Sequence, residues 1–245
     1  LHSQAGYDVS GSAFVTVFDL MTGEKNQLLV DEGSYATIAT ISGHIAVMKA
    51  NDGTLTVYND KLEKTDEWTF PTNDETVNAI IYLSEDKAAV RGIDNKISLV
   101  EVDESGKLLI DEKTYKPDEG FYLGSVSGLW EDRTLVVTAY NESDEHLHLW
   151  NTQSGEKTRI NPDCQVYSSY VIGNRVVGVN DSDFEVKIYS NEHPSIVKSF
   201  GYPDNFTAIS CADSNDHIYF ATAAESIQTL KRYSLQTGEL KGELI

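Results

Sequence analysis

The sequence predicts an all-β chain, a β-propeller of about six four-stranded blades whose first blade is incomplete, and three observations carry that reading. The first is a recurring hairpin. Residues Leu147 to Ile160 read Leu-His-Leu-Trp-Asn-Thr-Gln-Ser-Gly-Glu-Lys-Thr-Arg-Ile, alternating apolar positions followed by a Thr-Gln-Ser-Gly turn and a second short strand. Near-copies stand at Val15 to Val30, Ile97 to Ile110 and Leu230 to Ile245, with degenerate copies at Leu55 to Phe70 and Val186 to Phe200. The second is spacing. The turn glycines Gly23, Gly106, Gly155 and Gly238 lie 83, 49 and 83 residues apart. An interval of 83 spans two periods, and the six hairpins then share a mean repeat of about 43 residues, within the range of four-stranded propeller blades. The third is the lack of any long segment with a 3.6-residue apolar period, so no helix is expected.

Taken in order, residues 1–33 hold a partial blade. Residues 1–13 show little periodicity, and only the hairpin of Phe14 to Leu20 with Gln27 to Val30 is legible. A full unit spans 34–75, with strands at Tyr35 to Ile41, Ile45 to Ala50, Leu55 to Tyr58 and Glu67 to Phe70, broken by Ser42-Gly43 and Asn51-Asp52-Gly53. The next, 76–120, has strands at Val77 to Leu83, Ala88 to Gly92, Lys96 to Val102 and Leu108 to Lys113. A fourth blade covers 121–164, lengthened by a Tyr140 to His146 connection between its second and third strands; a fifth covers 165–205 and a sixth 206–245. We read one domain. Five blades and one hairpin leave the first blade short of its inner strands, so the chain is expected to be a piece of a longer protein or complex that completes the ring.

Composition narrows the function. The 39 acidic residues against 19 basic ones, a formal charge of −20, oppose nucleic acid and an anionic membrane surface, and the acids are scattered through turns such as Asp31-Glu32, Asp74-Glu75 and Asp181 to Glu185. No apolar run is long enough to cross a bilayer. The two cysteines, Cys164 and Cys211, fall at different ends of the inner strands of successive blades and are expected to be free thiols.

The hairpins resemble the WD40-like and PQQ-like β-propeller repeat superfamily, whose outer hairpin reads as an apolar strand, an Asp or Asn, and a Thr/Ser-Gly-Glu/Lys turn. The resemblance covers nearly the whole chain. The Gly-His that WD40 repeats place before the innermost strand occurs once, as Gly43-His44 between the first two strands, and Trp150-Asn151 approximates the Trp-Asp dipeptide. Quinoprotein propellers carry a tryptophan shortly after the turn; here the stretches read Lys25-Asn26-Gln27-Leu28 and Lys157-Thr158-Arg159-Ile160, so no quinone and no other cofactor is expected. The resemblance implies a scaffold role, for example in membrane-complex subunits facing the endoplasmic-reticulum lumen or the periplasm. Three Asn-x-Ser/Thr sites, Asn141, Asn180 and Asn205, fit an extracytoplasmic location.

Chemistry is sparse. His146 and His148 share one strand face, a spacing that ligates Zn²⁺ or Cu²⁺ if two further ligands arrive, or else they decorate a polar outer-strand face. Asp181, Asp183 and Glu185 alternate as Ca²⁺ ligands do but lack the rest of an EF-hand loop. No nucleophile elbow, zinc-protease helix motif, phosphate loop or Cys-x-x-Cys is present. The expected function is a non-enzymatic module that binds a protein partner through aromatic residues on connections entering inner strands: Tyr35, Phe121, Tyr122, Tyr167, Tyr202 and Phe206, for most of which packing between blades is the alternative. The rivals are a propeller hydrolase or lyase with a loop-built carboxylate site, and a carbohydrate-binding surface protein.

Overall fold

The computed structural model describes residues 2–7, 13–31, 35–72, 78–92, 95–131, 133–142, 145–160, 168–172, 175–180, 185–189, 196–201, 206–211, 217–224 and 227–244. Among them the chain forms 23 strands and no α-helix, and it divides into two compact units, residues 1–118 and 119–245. Every sheet is an antiparallel meander whose neighbours follow chain order.

In the first unit, β1 (His2–Tyr7), β2 (Ala13–Phe18) and β3 (Lys25–Asp31) form a three-stranded sheet. The hairpin β2–β3 is the predicted one. Strand β1 corrects the reading of residues 1–13: a segment of Ser, Gln, Ala and Gly without strand periodicity becomes a strand by pairing its backbone with β2, from His2 opposite Phe18 to Tyr7 opposite Ala13. The second sheet holds β4 (Ala36–Ile41), β5 (His44–Lys49), β6 (Thr54–Tyr58) and β7 (Lys64–Thr69). The third holds β8 (Ala79–Tyr82), β9 (Lys87–Arg91), β10 (Ile97–Val102) and β11 (Leu108–Tyr115). Middle strands are buried on both faces, as in Ile45, Ala46, Val47 and Met48, because each sheet is covered by its neighbours. One core joins the second and third sheets through Ile41, Met48, Leu55, Val57, Val90 and Val100; another joins the first and second through Val15, Val17, Ile45 and Val47.

The second unit repeats the plan in three sheets. These are β12 (Tyr122–Trp130), β13 (Thr134–Tyr140), β14 (Glu145–Asn151) and β15 (Lys157–Ile160); β16 (Ser168–Ile172), β17 (Arg175–Asn180), β18 (Glu185–Tyr189) and β19 (Ile196–Gly201); and β20 (Phe206–Cys211), β21 (His217–Ala224), β22 (Ile227–Ser234) and β23 (Leu240–Leu244). The extra length near residue 140 is not a long connection. Strands β13 and β14 run on until Tyr140 pairs with Glu145, and β12 absorbs surplus residues in register shifts between Leu123 and Gly128. Trp130, Val136, Leu147, Ile160, Val176 and Tyr189 form the core between the unit's first two sheets.

Three of the four glycine turns share one construction, and the fourth is one residue shorter, with Gly106 N donating 2.9 Å to the Asp103 carbonyl. Asp19 accepts hydrogen bonds from Met21 N and Thr22 N at Oδ1, Asn151 does the same for Gln153 and Ser154, and Ser234 Oγ for Gln236 and Thr237. In each turn the glycine N–H, of Gly23, Gly155 or Gly238, donates 2.8 Å to the carbonyl of that first residue. Asp, Asn or Ser is needed at the start because only a short polar side chain reaches back to N–H groups two and three residues on.

Candidate partner-binding surface

In an antiparallel meander, one end of each sheet collects the start of its first strand, the close of its second and the start of its third. In the second unit this end carries Tyr122, which opens β12, opposite Tyr140, which closes β13. Their rings sit 5.8 Å apart, and they are 56% and 42% exposed. Such a cross-strand aromatic pair holds both rings in place at little further entropy cost.

Phe121 is placed differently from its neighbour. Its half-buried ring lies 6.0 Å from that of His146 and 5.9 Å from that of His148, with the Arg159 guanidinium 5.4 Å from its centroid. Both histidines are buried, so the alternative of a polar outer-strand face is overturned: β14 is the third strand of its sheet and the face bearing His146, His148 and Trp150 is interior. Arg159 Nη2 donates to His146 Nε2. Arginine has no acceptor, so Nε2 supplies the lone pair and is committed to the guanidinium rather than to a metal, and a fixed cation beside it opposes a dication. Among the described residues no group of three or more His, Cys, Asp or Glu side chains stands close enough to hold a metal ion.

In the first unit Tyr35 is 69% exposed directly before β4, where its carbonyl accepts from Ala50 N at 2.8 Å. Tyr167 and Tyr202 lie outside the described residues, and Phe206 opens β20 but its side chain is not described. The same holds for Asp181, Asp183 and Cys164, for Asn205, and for the side chains of Asn180 and Cys211. Glu185 opens β18 with its carboxylate 3.8 Å from Lys187 Nζ, an ion pair on one strand. The structure adds Tyr140 and Arg159 to the residues sequence reasoning named. The hairpin register was the signal available for both, since it seats Tyr140 across from Tyr122 and Arg159 across from His148.

The sequence matches no protein-family model and no curated protein. Solved structures do match over 99% of the chain: the β-propeller domain of Cps50 (Swd1) from Myceliophteria thermophila, at 10% identity and TM-score 0.62 over 82% of that chain, and the WD40 β-propeller domain of Doa1, at 8% identity and TM-score 0.60 over 78% of that chain. The fold is therefore that of a WD40-like β-propeller, built largely of four-stranded antiparallel sheets.

Proposed function

We propose that this chain is a non-enzymatic protein-binding propeller module, a scaffold within a larger protein or assembly, and that it contacts its partner through the sheet end bearing Tyr122 and Tyr140. The observation that carries the proposal is that pair. Two amphipathic rings, mutually positioned and exposed to solvent, are the side chains most often found at the energetic centre of protein interfaces. WD40-like propellers such as the two matched domains are compatible with a scaffold. An extracytoplasmic compartment, lumenal or periplasmic, is supported by the three Asn-x-Ser/Thr sites. Asn141 immediately follows Tyr140, so a glycan there would shield the pair; the proposal requires Asn141 to be unmodified in the partner-bound form, which mass spectrometry of the native protein reads directly.

The test is a photo-crosslinking amino acid at position 122, followed by affinity measurement on the crosslinked protein. Exchanging Tyr122 and Tyr140 together for Ala is expected to weaken that partner by roughly tenfold or more with the melting temperature within a few degrees of wild type. Unchanged affinity in the folded double variant moves the interface elsewhere. A glycan that binds this end while no protein crosslinks there favours the carbohydrate reading.

A further inference from the structure

The turn that joins β2 to β3 carries the most exposed large apolar side chain among the described residues, Met21 at 94%, beside Leu20 at 74%. The turn itself does not call for them. Its hydrogen bonds use the Met21 and Thr22 backbone N–H groups and the Asp19 carboxylate, and the sister turns make the same bonds with Thr152-Gln153 and Leu235-Gln236. Where an apolar residue recurs, at Leu235, it is buried in the core between the second unit's last two sheets, whereas Leu20 stands in solvent. Met21 holds the place that Gln153 and Gln236 hold in the sister turns.

The two side chains line a groove of about 430 Å³ that runs between this turn and the β6–β7 turn of the adjoining sheet. Among the described residues that line it are the acids Asp19, Glu24 and Asp60 and one cation, Lys61. The Asp19 carboxyl is held below the usual carboxylate range by the backbone N–H groups of Met21 and Thr22, so it stays charged at neutral pH. Within the β4–β7 sheet, this is the end opposite Tyr35, because β6 closes where β5 begins.

We propose that this groove is a second docking site, for an extended segment of a partner protein that carries an apolar side chain flanked by lysine or arginine. The apolar residue packs on Leu20 and Met21, whose thioether adapts to irregular shapes, and the flanking cations pair with Glu24 and Asp60. Charge complementarity selects this occupant: the described lining residues carry three carboxylates to one ammonium and the chain as a whole −20, so a second copy of the chain or an acidic peptide would be repelled at long range. The site rests on none of the residues of the aromatic surface.

The experiment uses fluorescein-labelled decapeptides in anisotropy titrations at about 50 mM salt, where surface electrostatics are weakly screened. One has leucine flanked by two arginines on each side, a second replaces the leucine by serine, and a third replaces the arginines by glutamates. Binding of the first alone is expected, with roughly tenfold loss in the double variant Leu20→Thr, Met21→Gln, which copies the 151–155 turn and so keeps a turn this chain already folds. Asp60→Asn weakens binding further and flattens its salt dependence, while Tyr122→Ala with Tyr140→Ala leaves it unchanged. Equal binding of the serine peptide reduces the site to charge and overturns the proposal. So does equal binding by the Leu20, Met21 variant, and so does a concentration-dependent dimer, seen by sedimentation, that the same variant abolishes.

Discussion

At the scale of single residues, one turn serves three times with different neighbours, and the glycine at its end shows what context adds. Gly155 and Gly238 take φ of 77° and 76°, a left-handed conformation that costs a residue with a Cβ about 1–2 kcal/mol. Nothing lies within 4 Å of a Cβ built on Gly155, whereas one on Gly238 would come 2.9 Å from Phe200 Cβ and 3.0 Å from its Cγ. Phe200 in turn stacks on Tyr233 at 6.1 Å. Gly155→Ala is therefore expected to cost only the backbone term, and Gly238→Ala a further 1–3 kcal/mol or about that for overpacking. Chemical denaturation of the two variants measures the difference; equal losses would mean that Phe200 yields without cost.

At the scale of elements, neighbouring sheets of the first unit are joined by polar contacts between corresponding strands as well as by the apolar core. Ile80 N donates to Thr37 Oγ1 at 2.8 Å, Leu108 N to Asp66 Oδ2 at 2.8 Å, and Ser42 N to the Glu85 carbonyl at 2.7 Å. Because β8 is an edge strand of its sheet, Ile80 N has no ladder partner on its far side and the Thr37 hydroxyl takes that place. Thr37→Val preserves shape and removes the acceptor, so it should destabilise by about 1–3 kcal/mol, the cost of a buried unsatisfied N–H. Amide exchange at Ile80 should quicken beyond the global change. An unaltered exchange rate would show that the hydroxyl contributes nothing there.

At the scale of the whole molecule, charge governs behaviour in solution. With a formal charge of −20, self-repulsion weakens the compact state at low ionic strength, and raising salt at pH 7 should raise the melting temperature. Acid acts in the opposite sense through specific groups. The carboxyls of Asp19, Glu67, Asp86 and Asp103 titrate below their ordinary values, held first by the Met21 N–H, Lys64, the Ser84 hydroxyl and the Ser105 hydroxyl respectively. A carboxyl lowered in the native state adds stability that is full above its unfolded value and disappears as pH falls through its folded one. The melting temperature should thus hold between pH 7 and about 5 and fall below about 4. A rise in that acid range would mean that relief of net charge outweighs these bonds.

The sequence by itself determined the repeat, its turns and nearly every strand of the first unit, because those depend on neighbours a few residues away. An alternating apolar pattern, a short polar residue and a glycine suffice to make the hairpin around Gly155, and the predicted strand from Lys96 to Val102 differs from β10 by one residue at one end. The sequence marked Tyr35, Phe121 and Tyr122 as aromatics entering first strands but not which of them face solvent: Tyr35 and Tyr122 do, while the adjacent Phe121 turns onto His146 and His148. Only the tertiary structure decided the rest. His2 to Tyr7 has no pattern of its own and is a strand because β2 offers it an unpaired edge. His146 and His148 read as surface residues in a polar stretch, yet they are interior because the face they share with Trp150 lies beneath Phe121 and beside Arg159. Leu20 and Leu235 occupy the same step of the same turn and differ only in whether a neighbouring sheet reaches them, which is a property of packing between repeats and leaves no trace within one.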